Sequence, residues 1–171
     1  YTEIMPGRPT ISHHRFPKDN VKRAINAKKS DVQTVLSTMI ITAAEQQTMN
    51  YYMNVGSFYR NQLGRNLYAE IAMIEEQHVS GYESLKDPNS TWLECALMHE
   101  YTECYLYYSC YKDESDEYIK NVWLSHFENE LTHLKKIAEL LYKYEGKHYE
   151  EVLITLNFPE LLSFKENKSY I

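Results

Sequence analysis

Two Glu-x-x-His motifs, Glu75–His78 and Glu130–His133, fall on helix-period stripes whose other members are largely apolar or aromatic. A three-residue step on a helix puts both side chains of a motif on one face, within reach of one point. The stripe of one segment reads Tyr68, Ile71, Glu75, His78, Tyr82, Leu85. That of the other reads Ile119, Trp123, His126, Glu130, His133, Ile137, Leu140, Tyr144. An ionised carboxylate on an inward seam is unfavourable by several kcal/mol unless something neutralises it. A divalent cation would do so, and the pattern therefore predicts helices that pack around metal ligands.

With 19 Glu and seven His in 171, about one Glu-x-x-His arises by chance. A third motif, Glu145–His148, contains Gly146 and lies where a helix is expected to end. It serves as the internal control, and we expect no metal there. His13–His14 lies in a loop without a neighbouring carboxylate and is read as solvent-exposed.

The remaining carboxylates complete a set. A stripe Thr34, Thr38, Ile41, Glu45, Thr48, Tyr52 places Glu45 alone at mid-length of a first helix, a surface position being the alternative that periodicity leaves open. On a third helix, Leu93, Ala96, Glu100, Glu103, Tyr107, Cys110 share a face. In chain order the four helices present Glu, Glu-x-x-His, Glu, Glu-x-x-His, the ligand set of a di-iron carboxylate bundle. Four carboxylates and two imidazoles suit two iron or manganese ions better than zinc, which takes fewer ligands and more thiolate.

Few Gly and Pro and long stretches at helical spacing predict an all-α protein. We read one domain over 1–171, with an arm over 1–29, an up-down-up-down four-helix bundle over 30–145 and a tail with one short helix over 146–171. The helices are placed at Ser30 to Asn54, Phe58 to Leu85, Thr91 to Tyr111, and from the loop 112–115 to Tyr144. Ser30-x-x-Gln33 and Thr91-x-x-Glu94 read as capping boxes. A second aromatic stripe, Tyr101, Tyr105 and Tyr108, predicts a covered surface, either under the tail or at a homodimer contact. His126 is read as a hydrogen-bonded core residue, with a supporting role to a ligand as the alternative, and His99 as facing another helix. Glu76, Glu94 and Glu128 are read as solvated or capping.

The net charge of −6 and scattered Lys and Arg disfavour nucleic acid. No apolar run approaches the ~20 residues of a membrane span, and the first residues do not read as a signal peptide. Three Cys without a Cys-x-x-Cys motif fit a reducing compartment and apolar packing. A soluble, cytoplasmic protein is the expectation.

Over residues 31–144 the chain resembles the rubrerythrin branch of the ferritin-like superfamily. The match is carried by Glu45-x-x-x-x-Asn50-x-Tyr52, Ile71-Ala72-x-x-Glu75-Glu76-x-His78 and Glu100-Tyr101-Thr102-Glu103. The resemblance implies that Glu75 and Glu130 bridge two irons, that Glu45 is terminal on one and Glu100 on the other, and that His133 pairs with the Glu100 metal. It further implies that His78 and Glu103 compete for the Glu45 metal and that Tyr52 hydrogen-bonds a ligand carboxylate. The activity implied is reduction of hydrogen peroxide to water. No rubredoxin-like Cys pairs are present, so electrons would come from an external donor such as a rubredoxin-like protein. A di-iron oxidase, ferroxidase or hydroxylase acting on oxygen, or a dimanganese catalase, uses nearly the same ligands. A non-catalytic iron-binding or interaction protein is the reading from another class.

Overall fold

Four α-helices and one 3-10 turn make up the regular structure of the described residues, 21–153 and 155–164, in a computed structural model, and no strand occurs among them. The helices are α1, Val32–Gly56; α2, Gln62–Glu83; α3, Trp92–Asp113; and α4, Glu117–Glu145, followed by the turn Tyr149–Glu151. The all-helical expectation is met. The arm lies mostly outside the described residues, as do His13 and His14. No helix among the described residues is long and apolar enough to cross a membrane.

Local chemistry fixes the helix ends. Asn61 caps α2 by accepting the amide of Leu63 at 2.8 Å. Thr91 and Glu94 form the predicted capping box at the start of α3. Asp116 accepts from the amides of Tyr118 and Ile119 to start α4. Gly146 ends α4 with φ 66°, a left-handed conformation that suits glycine. The expected boundaries move by one to four residues. α1 starts at Val32 rather than Ser30, and α2 starts at Gln62 rather than Phe58. The amides of Ser57, Phe58 and Tyr59 bond back to Asn54, Val55 and Gly56, so the chain turns there before Asn61 restarts it.

The chain divides into two units. One comprises Thr34–Pro88 with the described residues before Ala27; the other comprises Ala27–Gln33 and the residues from Asn89 onward. Each contains a helical hairpin. In the first, Tyr52 near the end of α1 meets Tyr68 near the start of α2, and Glu45 meets His78 further along, so the two helices run antiparallel. A Cβ added at Gly56 would lie 3.0 Å from the Cβ of Tyr68, which shows how closely the chain passes there.

In the second unit α3 and α4 are likewise antiparallel. Thr91 at the start of α3 donates to Glu145 at the end of α4 at 2.9 Å, while Tyr107 lies against Trp123 at the other end. The core holds Leu97, Cys104, Tyr105 and Leu141 at 0% exposure. Burial pushes the Cys104 thiol up to about 12, with the carboxylates of Glu130, Glu100 and Glu103 adding to it, so it packs as an apolar group.

The tail settles the choice for the tyrosine stripe. Phe158 sits 5.4 Å from Tyr101, 5.7 Å from Tyr105 and 5.7 Å from Tyr108, ring centre to ring centre. Tyr101 donates to the carbonyl of Asn157 and Tyr105 to that of Glu160. The stripe is covered by the chain's own tail, in which the 3-10 turn Tyr149–Glu151 is the regular structure among the described residues, where the sequence predicts a short helix.

Candidate metal centre

Each hairpin brings a Glu from its first helix against the Glu-x-x-His of its second. In the first, His78 Nδ1 lies 3.0 Å from Glu75 Oε2 and 3.2 Å from Glu45 Oε2. In the second, His133 Nδ1 lies 2.7 Å from Glu130 Oε2 and 3.6 Å from Glu100 Oε2. Within each group the ligand atoms all lie within 4.8 Å of one another. One ion with bonds of about 2.0–2.2 Å spans about 4 Å between opposite ligand atoms, a spacing at which either triad could hold a cation.

The electrostatics fit a cation. Burial, and then the Glu45 carboxylate opposite, raise the pKa of Glu75. Burial, and then Glu130, raise that of Glu100. In both hairpins two carboxylates are held together in a place where each makes the other's charge costly. His133 partly offsets this, and its own pKa is raised by its hydrogen bond to Glu130. Two carboxylates and a neutral imidazole offset one divalent ion and leave positions around it open. The carboxylate side chains are 15–20% exposed, whereas His78 is 47% and His133 59% exposed. Each triad is therefore a carboxylate floor with an accessible imidazole edge.

The two triads occupy the same register. His78 follows Glu45 by 33 residues, and His133 follows Glu100 by the same interval. The correspondence extends past the ligands. Tyr52 stands two turns beyond Glu45 and packs on Tyr68, with ring centres 5.3 Å apart; Tyr107 stands two turns beyond Glu100 and stacks on Trp123 at 6.0 Å. The match is not complete, since Ile71 corresponds to His126 and Tyr82 to Ile137. Glu103 in α3 corresponds to Thr48 in α1, whose hydroxyl bonds back to Ala44.

Six of the seven expected ligands thus gather as Glu45, Glu75, His78 and Glu100, Glu130, His133. Glu103 belongs to neither group; its carboxylate lies by Tyr107, whose phenol pKa is raised by burial and by that charge. Tyr52 contacts Tyr51 and Tyr68 through its ring. His126, expected in the core, is exposed and stacks on Tyr107 at 5.2 Å. His99 is exposed as well, though close enough to Glu100 to favour its charged form.

The control motif has other work. Glu145 accepts from Thr91 and from Lys147 at 2.9 Å, and Lys147 also reaches the buried Glu94 at 3.0 Å. His148 stacks on Tyr142 instead. This Lys147 bridge escaped sequence reading, because it ties Glu145 and Lys147 to Glu94, a residue far back in the chain that shares no spacing with them. No protein-family model, curated protein or solved structure matches this chain, so the reading of the site rests on its residues.

Proposed function

We propose that the chain is a rubrerythrin-like non-haem di-iron peroxidase, a ferritin-like up-down-up-down bundle that binds one iron in each triad and reduces hydrogen peroxide with electrons from an external donor. The observation that carries this reading is the repetition, in identical register, of a two-carboxylate, one-histidine triad. A single such cluster is common on acidic surfaces; two copies with matched surroundings call for a shared cause, and a pair of ions supplies one.

In this reading Glu45, Glu75 and His78 hold one ion and Glu100, Glu130 and His133 the other. Iron bound there supplies the two electrons that peroxide consumes as it takes up two protons and becomes two waters. The carboxylates neutralise the ions, and the open imidazole edges leave room for a small oxidant to approach. Glu103 adds negative charge beside the second triad, where it lies against Tyr107. By the rubrerythrin resemblance Glu103 would be a further ligand to oxidised iron, whose higher charge an added carboxylate would offset.

The test is anaerobic loading with ferrous iron, followed by mixing with peroxide and with oxygen. Two ions per chain, a short metal–metal distance by X-ray absorption and faster oxidation by peroxide are expected. Two ions that bind yet show no metal–metal scattering would refute the paired centre. Loaded protein inert to both oxidants would refute the enzyme reading.

A further inference from the structure

The turn end of the first hairpin holds an aromatic cluster separate from the ligands. Tyr52 packs on Tyr68 at 5.3 Å, Tyr68 on Tyr59 at 4.7 Å, and Tyr51 on Tyr52 at 5.5 Å between ring centres. The Tyr59 hydroxyl donates to the Tyr68 hydroxyl at 2.8 Å. The arrangement is built. A Cβ at Gly56 would press on Tyr68, a Cβ at Gly64 would lie 3.0 Å from the Tyr59 ring, and Arg65 Nε donates to the Tyr59 carbonyl at 2.6 Å.

Packing alone does not account for the position. Tyr59 is 38% and Tyr51 55% exposed, so the cluster runs from a half-buried pair to the surface. Its inner pair stands two helical turns, about 10 Å, from Glu45 on α1 and from Glu75 on α2. Phenols are the most easily oxidised groups there, and ring contact suits electron exchange.

We propose that Tyr52, Tyr68 and Tyr59 form a one-electron relay that carries oxidising equivalents from the first triad to the protein surface at Tyr59. The chemistry balances at each step. A one-electron oxidant, of the class formed when a metal centre reacts with peroxide, takes an electron from Tyr52, whose phenolic proton passes to water. Tyr68 then gives an electron to the Tyr52 radical, which regains a proton from water, and Tyr68 loses its own proton to water. The Tyr59 O–H bond breaks next. Its hydrogen atom crosses the hydrogen bond to the Tyr68 oxygen, restoring the Tyr68 phenol and leaving the radical on Tyr59. A soluble thiol or ascorbate-type reductant returns a hydrogen atom there. The role as an outlet for the first triad rests on the peroxidase reading; the relay itself does not.

The experiment separates the two. Metal-free protein is oxidised by azide radicals in the presence of a nitroso spin trap, and adducts are mapped by mass spectrometry. Tyr118 and Tyr144, at 77% and 67% exposure, serve as references. The relay predicts at least a threefold higher yield at Tyr59 than at either reference. It further predicts that Tyr68→Phe, with unchanged circular dichroism, brings Tyr59 down to the reference level. Yields that follow exposure, or a Tyr59 yield indifferent to Tyr68→Phe, overturn the proposal. A second arm adds peroxide to the ferrous-loaded protein without azide. Adducts at Tyr59 in the first arm and none in the second would uphold the relay and count against the peroxidase reading.

Discussion

Glu45 reaches His78 across the first hairpin, Oε2 to Nδ1 at 3.2 Å, and so closes a triad on the pair that α2 already presents at Glu75 and His78. The second hairpin repeats the closure with Glu100. Because both carboxylates of a triad face one place, removing either lowers the local charge that attracts a cation. Glu75→Ala and Glu130→Ala should each weaken ferrous binding by more than the about 10–100-fold that an outer partner contributes. Anaerobic titration calorimetry measures this. In the parent, ferrous iron at 100 times its dissociation constant should add about 2.7 kcal/mol of stability for each occupied site, and each variant should lose the share of its own triad.

Glu103 lies outside both triads, so its removal should act on chemistry more than on occupancy. Glu103→Ala should retain two ferrous ions and slow oxidation by peroxide at least about tenfold, equivalent to about 1.4 kcal/mol. Stopped-flow absorbance gives the rate, and metal analysis gives the count. Parent-like oxidation would leave Glu103 without a part in the reaction.

His148→Ala should leave metal content unchanged, since Glu145 is held by Thr91 and Lys147. Lys147→Met should instead destabilise the fold, because the buried Glu94 carboxylate keeps its bond to the Thr91 amide but loses the cation that offsets its charge. The pH dependence follows from the shifts. Lys147 and then Thr91 lower the pKa of Glu145, so its contribution is present above the ordinary 4.5 and is lost as pH falls through the lowered value. Glu145 and then Glu94 raise that of Lys147, whose contribution is present below 10.5 and is lost as pH rises through the raised value. The stability gap between parent and variant should be level between these limits and narrow outside them, as read by denaturant unfolding across pH.

Gly146 takes a φ of 66° with open space around its Cα. Gly146→Ala should therefore cost about 1 kcal/mol from backbone strain alone. Chemical denaturation reads the cost, and near-UV circular dichroism should be unaltered.

Phe158 fills the space among Tyr101, Tyr105 and Tyr108 and is itself half-buried. Phe158→Ala should destabilise the second unit by about 1–3 kcal/mol, less than loss of a fully buried ring. Limited proteolysis should then cut first near Asn157.

Much of this was legible in the chain because it depends on neighbours in sequence. The caps at Thr91 and Gly146 and the Glu-x-x-His pairs are local, and a helical period projects Glu45 and Glu100 toward their partners. The start of α2 was not. Phe58 and Tyr59 look like helix positions, but the amides there turn back on α1, and Asn61 supplies the cap. His126 also misled, since its seam position near the end of a hairpin leaves it stacked on Tyr107 in the open. The Tyr59–Tyr68 bond and the Lys147 bridge obey no period, and only the folded chain brings their partners together.

The tail's attachment has a consequence for how this protein tolerates change. Tyr101 and Tyr105 bond to the carbonyls of Asn157 and Glu160, and the amides of Leu162 and Phe164 bond to Ser109 and Asp113. All four bonds meet the tail at its main chain, which every residue type except proline can supply in full. Asn157, Glu160 and Leu162 are thus open to replacement without loss of these bonds, whereas deletion of a single residue between 157 and 164 would put the later groups out of step with α3. Apart from Phe158, spacing rather than side-chain identity is what this strap encodes.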